Sequence, residues 1–106
     1  MLINWIYLLA AILFEVLGTT CMKLSEGFKN LIPSILIFVF YGFGFTFSTL
    51  SLEKLDVGVA YSIWSGLGTM LIASIGIIWF RESVSLVKFI SIALIIIGVI
   101  GINSSK

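Results

Sequence analysis

No histidine occurs in this chain, and cysteine and proline occur once each. The missing histidine removes the commonest metal ligand and the usual base for work near neutral pH. A single cysteine, Cys21, rules out an intrachain disulfide and reads most simply as a small buried apolar residue. Charge is scarce too: Asp, Glu, Lys and Arg make up 10% of the residues, where soluble chains average about 25%. A net charge of +1 with no cationic stripe excludes a nucleic-acid partner. No glycine-rich phosphate loop, nucleophile elbow or metal-ligand cluster is present, so the sequence predicts neither an enzyme nor a bound metal or cofactor.

What remains is apolar. Hydrophobic residues fill 60% of the 106 positions, too many for an average soluble domain. The first stretch lacks the basic start and small-residue cleavage signal of a secretion signal, so it reads as a retained membrane span. Charged links divide the chain into four apolar segments, which predict helices over about 2–22, 31–52, 57–80 and 84–103. Each is close to the roughly 20 residues that cross a bilayer, and none shows the alternation of a transmembrane β-strand. The expectation is one four-helix, all-α integral membrane domain spanning 1–106, with both termini on one side. Pro33 falls in the first turn of the second segment, where its missing N–H is harmless.

One charge breaks the pattern. Glu15 stands alone within LLAAILFEVLGTTCM (Leu8 to Met22). A charged residue at mid-helix costs about 2.5–3.5 kcal/mol on insertion scales, which neighbouring leucines and isoleucines offset at about 0.3–0.6 each. The carboxylate must then face protein, a cavity or a cation. A role limited to helix–helix hydrogen bonding is the competing reading. Leu8, Ala11, Ile12, Gly18 and Thr19 share its side of the helix, and the small ones predict open volume beside it. On the third segment, Tyr61 and Trp64 lie one turn apart, with Ser65 next to them. Tryptophan usually anchors a helix at the membrane interface, which does not suit Trp64 at mid-span. The pair predicts a cavity wall able to stack on a flat organic cation, worth about 0.5–2 kcal/mol. Tyr41 and Phe45 share a face of the second segment and offer a further apolar wall. Gly66 and Gly68 are candidate hinge positions, with close helix packing as the competing explanation. Ser91, Gly98 and Gly101 on the fourth segment form a small-residue face suited to pairing with a second copy.

The stretches FEVLGTTCMKLSEGF, Pro33–Ser34 and VAYSIWSGLG together resemble the small multidrug resistance family of bacterial inner-membrane transporters, and the similarity runs over essentially the whole chain. The resemblance implies an antiparallel, dual-topology homodimer in the bacterial inner membrane, with lipid around it. It also implies that Glu15 of each copy binds either a proton or a cationic substrate. Leu8, Ala11, Ile12, Gly18, Thr19, Tyr41, Phe45, Tyr61, Trp64 and Ser65 match the binding chamber. The guanidinium-exporting branch typically carries a tryptophan three residues after its glutamate. Here that position is Gly18, as in the branch that exports quaternary ammonium and other lipophilic cations. Many members have a serine at the position of Gly44, and some have a tryptophan at that of Thr46. The rival readings are a guanidinium-type exporter, a non-transporting membrane adaptor and a lipid-carrier translocation subunit.

Lysine and arginine in the links set the orientation of a membrane protein. Lys23, Lys29, Arg81 and Lys88 fall on one side, and Lys54, Lys106 and the amino terminus on the other. So weak a bias predicts insertion both ways, against the alternative of one orientation with the four-charge side cytoplasmic. A single cysteine introduced at the C-terminus should therefore react with impermeant reagents from both faces of the membrane. Labelling from one face only would refute dual insertion.

Overall fold

The computed structural model describes residues 2–104; the amino terminus and Lys106, used above to weigh orientation, lie outside them. Four helices follow one another: α1 (Leu2–Leu24), α2 (Leu31–Ser51), α3 (Val57–Ile78) and α4 (Leu86–Ser104). All four are long and apolar enough to cross a membrane. The segments are those expected, with shifted ends. α1 runs two residues further than its apolar run, because Lys23 and Leu24 continue the helix into the link. α4 starts at Leu86 instead of Val84, because the Ser85 hydroxyl accepts the Lys88 N–H at 3.2 Å and so caps the helix. α3 stops at Ile78 instead of Phe80, and Arg81 beyond it takes a left-handed φ of 55°.

The helices form a thin layer of 43 × 35 × 16 Å. α1 is the common element: α2 packs along one flank, α3 lies on the other, and α4 touches the bundle through α3. The apolar core is accordingly small. Leu8, Ile12 and Val16 of α1 meet Val59, Ala60 and Ile63 of α3, and Leu55 closes one end. On the α1–α2 flank, rings make the seam. Phe14 stacks on Phe43 at 5.3 Å and on Phe47 at 5.7 Å, and Tyr7 stacks on Phe47 at 5.8 Å. Much of the aromatic surplus of α2 is thus spent on α1, while Phe38 and Phe45 remain exposed.

Polar groups tie the ends. Asn4, buried near the start of α1, donates to the Leu50 carbonyl at 3.2 Å, in the last turn of α2, where that carbonyl also accepts the Glu53 N–H at 3.3 Å. At the opposite end, the α1–α2 link makes its turn through three successive left-handed residues, Glu26, Gly27 and Phe28. Only the glycine adopts that conformation freely. Asn30 precedes α2, but its side-chain amide reaches back to the Leu24 carbonyl at 2.8 Å, so it caps α1 instead of its own helix.

α4 has no buried residue. Its approach to α3 is made at Gly66, where an added Cβ would overlap Val99 Cγ2 and come within 3.3 Å of Ile95 Cγ2. A second face of α4, beside the one that meets α3, is bare: Gly98 and Gly101 have nothing within 4 Å, and Ser91 is exposed. Gly66→Ala should therefore cost about 1–3 kcal/mol by overpacking, measured by denaturant unfolding in detergent. Val99→Ala in the same chain should recover most of that loss, whereas two additive losses would show that the helices do not meet there.

Candidate functional site

Glu15 lies half-buried near the middle of α1, at the height where α2 and α3 both leave room beside it. Thr19, one turn on, donates its hydroxyl to Glu15 Oε1 at 3.1 Å. The Tyr41 hydroxyl lies 2.6 Å from the same threonine oxygen. Thr19 has one proton to give, so with that proton on the carboxylate, Tyr41 is the donor to Thr19. The result is a relay from Tyr41 through Thr19 to Glu15, joining α2 to the acid on α1. A sulfur contact from Tyr41 to Met22, at 3.9 Å, is the weaker alternative for the same phenol proton.

Two glycines border this arrangement. A Cβ on Gly18 would lie 3.0 Å from two ring carbons of Tyr41. The sequence suggests open volume at Gly18. In the structure that volume is occupied by the Tyr41 ring, because removing a side chain lets a neighbouring helix fill the space. Gly68 stands opposite the other carboxylate oxygen, with its would-be Cβ 3.4 Å from Glu15 Oε2. At Gly44 a Cβ would meet only ordinary contacts at 3.6 Å, so the serine common in the resembling family would fit there.

Glu15 and Trp64 stand together between two cavities. The first, about 190 Å³, lies between α2 and α3 and is almost wholly apolar. Leu8, Tyr41, Phe45, Ala60 and Tyr61 line it, with Ser48 among the few polar groups. Tyr61 and Trp64 form its aromatic corner, with ring centroids 5.4 Å apart and planes at 59°. Tyr41 and Phe45 face them from α2, with their own centroids 5.9 Å apart. The second cavity, about 380 Å³, opens between α1 and α3 past Thr19, Ser65, Gly68 and Thr69. Neither lining contains a lysine or an arginine.

The candidates from the sequence fall into groups. Leu8, Tyr41, Phe45, Tyr61 and Trp64 share the first cavity with Glu15, and Thr19, Ser65 and Gly68 share the second. Ala11 and Ile12 are core residues beneath the site, 1% and 2% exposed, and line neither cavity. Gly18 acts on the site through Tyr41, and Gly66 packs against α4. Sequence reasoning missed Gly44 and Ser48 on α2 and Thr69 on α3 as lining residues. Their signal was the helical period: Gly44 and Ser48 follow Tyr41 by three and seven residues, and Thr69 follows Ser65 by four.

Comparison with known proteins matches the sequence to a family. The profile described as Small Multidrug Resistance protein matches residues 3–95. The membrane protein YvaE of Bacillus subtilis is 55% identical over 100 residues, covering 94% of this chain and 84% of its own. The multidrug resistance protein EbrB of the same organism is 43% identical, covering 95% and 86%. The quaternary ammonium compound-resistance protein QacF of Klebsiella aerogenes is 40% identical, covering 94% and 91%. Four membrane-length helices and a match over nearly the whole chain place this protein in the bacterial membrane as a multi-pass member of the Small Multidrug Resistance family.

Proposed function

We propose that this protein exports lipophilic quaternary ammonium cations in exchange for protons, with Glu15 as the shared binding group. The observation that carries the reading is the lining around the carboxylate, which holds rings, aliphatic groups and hydroxyls but no basic side chain. A carboxylate taken out of water needs a compensating charge or a proton. No lysine or arginine lines the space to supply that charge, so it comes from outside, as a proton or as a cation. Both cannot occupy the acid at once, which makes their binding mutually exclusive and the coupling reciprocal. If the empty, charged site changes its facing slowly, proton entry on one side drives cation exit on the other.

The walls set the substrate class. Burying apolar surface contributes about 25 cal/mol per Å², and a cation over an aromatic face gains about 0.5–2 kcal/mol more. The first cavity provides both, through Phe45, Leu8, Tyr61 and Trp64. Guanidinium has little apolar surface to bury, so it gains little from these walls beyond its pairing with the Glu15 carboxylate. The relatives named for resistance to quaternary ammonium compounds support the same class.

A second copy completes the reading. The chain exposes 6961 Å², against about 5,900 Å² expected for a soluble monomer of its mass. Neither cavity is fully enclosed by the single chain, a layer 16 Å thick. An antiparallel homodimer pairing through the bare Ser91, Gly98 and Gly101 face would set two layers against each other and enclose the two carboxylates.

The direct test is proton release on adding tetraphenylphosphonium to the purified protein, together with uptake driven by a proton gradient in proteoliposomes. Glu15→Gln should abolish both while the protein remains folded; uptake by that variant at the wild-type rate would refute the assignment. Gly18→Ala should displace the Tyr41 ring and weaken cation binding by about 0.5–1.5 kcal/mol, the worth of one hydrogen bond. Tyr41→Phe should match it without any clash. The double variant should lose no more than either single one, and additive losses would mean that the two residues act separately.

A further inference from the structure

The second cavity does not end at Glu15. It adjoins a third space of about 150 Å³, with which it shares Thr19, Ile72 and Ala73. That space leads to the end of the bundle where α1 and α3 finish, and Lys23 and Glu82 stand in its wall. The groove so formed carries hydroxyls that are not all committed to the backbone. Serine and threonine side chains on the helices commonly bond back to a carbonyl one turn earlier, as Thr20 in the groove wall does to Val16 and Ser74 does to Met70. Ser65 and Thr69, one turn apart on α3, make no such bond among the described residues and line the cavity.

The backbone holds Glu82 at the mouth. Arg81 turns the chain with its left-handed φ, and the Glu82 N–H donates to the Gly76 carbonyl at 3.0 Å. The carboxylate folds over Gly76 so closely that a Cβ there would lie 2.5 Å from Oε1. Gly76 is thus the seat of the Glu82 side chain, in the last turn and a half of a membrane-length helix.

We propose that this hydroxyl-lined groove between α1 and α3 is the proton's route to Glu15, with Glu82 as the group at its mouth. The inference rests on the antiport reading above and adds a path to it. A proton hops along waters and hydroxyls, and a water in a confined space needs about two to four polar partners. The groove offers them in sequence, from Glu15 and Thr19 past Ser65 and Thr69 to Thr20 and Glu82, whereas the first cavity is nearly all apolar. When a cation binds, the O–H bond of the Glu15 carboxyl breaks. The proton passes to water held by the hydroxyls and leaves past Glu82 to bulk water, while the carboxylate pairs with the cation. For a singly charged cation, one positive charge replaces another. Glu82 raises the local concentration of cations, hydronium included, and the C-terminal ends of α1 and α3 add partial negative charge. Lys23 from α1 offsets part of that field, Arg81 adjoins Glu82 in the link, and Lys88 of α4 is engaged with the Ser83 carbonyl.

The test uses the full chain, with proton release on mixing with tetraphenylphosphonium followed by stopped flow and equilibrium binding measured in parallel. Glu82→Gln should slow release by about fivefold or more while affinity stays within about twofold, and Thr69→Val should slow release similarly at saturating cation. Thr69→Ser should keep the wild-type rate, and Gly76→Ala, which pushes the Glu82 carboxylate aside without removing it, should fall between. Cation binding also reports folding: if Thr69→Val binds nothing, Glu82→Gln, outside the packed helices, decides alone. Unchanged release in the variants would overturn the route. An equal fall in affinity in Glu82→Gln would make the groove the cation's own path and overturn it too. No release from the wild-type protein would overturn the antiport reading and this inference with it, whereas wild-type release with unaffected variants removes the route alone.

Discussion

A carboxylate in the middle of an apolar helix is the constraint on which the rest of this molecule depends. Lipid tails offer Glu15 neither a hydrogen bond nor a counter-charge, so the surrounding helices must supply the first and leave space for the second. The structure does both on separate sides of the acid. One oxygen receives the Thr19 hydroxyl, itself supported by Tyr41. The other faces Gly68, where there is no side chain to close the space. Neither cavity lining holds a lysine or arginine that would give the acid a permanent partner.

The absence of a Cβ serves three separate purposes here. At Gly18 it admits the Tyr41 ring and so builds the relay to Glu15. At Gly68 it keeps the carboxylate uncovered. At Gly66 it lets α4 close on α3. Without a hydrophobic driving force between helices in lipid, close packing of this kind is a principal source of association. The same glycine that packs α4 cannot also give α3 free bending at that point without disturbing Val99.

Chemistry divides between the two sides of Glu15. The side towards α2 is built from rings and aliphatic groups, suited to an organic ion with a spread charge. The side towards the ends of α1 and α3 is built from hydroxyls and reaches charged residues, suited to water and protons. Membership of the Small Multidrug Resistance family is consistent with this division.

Four membrane helices, the isolation of Glu15 and the mid-span position of Trp64 were all legible in the sequence, because hydropathy and the helical period are local properties. Phe45, Tyr61 and Thr19 were legible for the same reason, each sharing a helical face with another candidate. What fills the space beside a glycine is not local. Gly18 reads as room for a ligand until the α1–α2 packing brings the Tyr41 ring against it. Ala11 and Ile12 share the face of Glu15, yet the packing of α2 against Ala11 and of α3 against Ile12 buries them in the core. Thr69 and Glu82 lie on separate elements from the acid, and only the docking of α3 along α1 places them on one groove with it. The sequence by itself determined which residues carry charge, rings and hydroxyls and which helix face each occupies. The tertiary structure decided which faces meet, because helix packing depends on contacts between residues far apart in the chain.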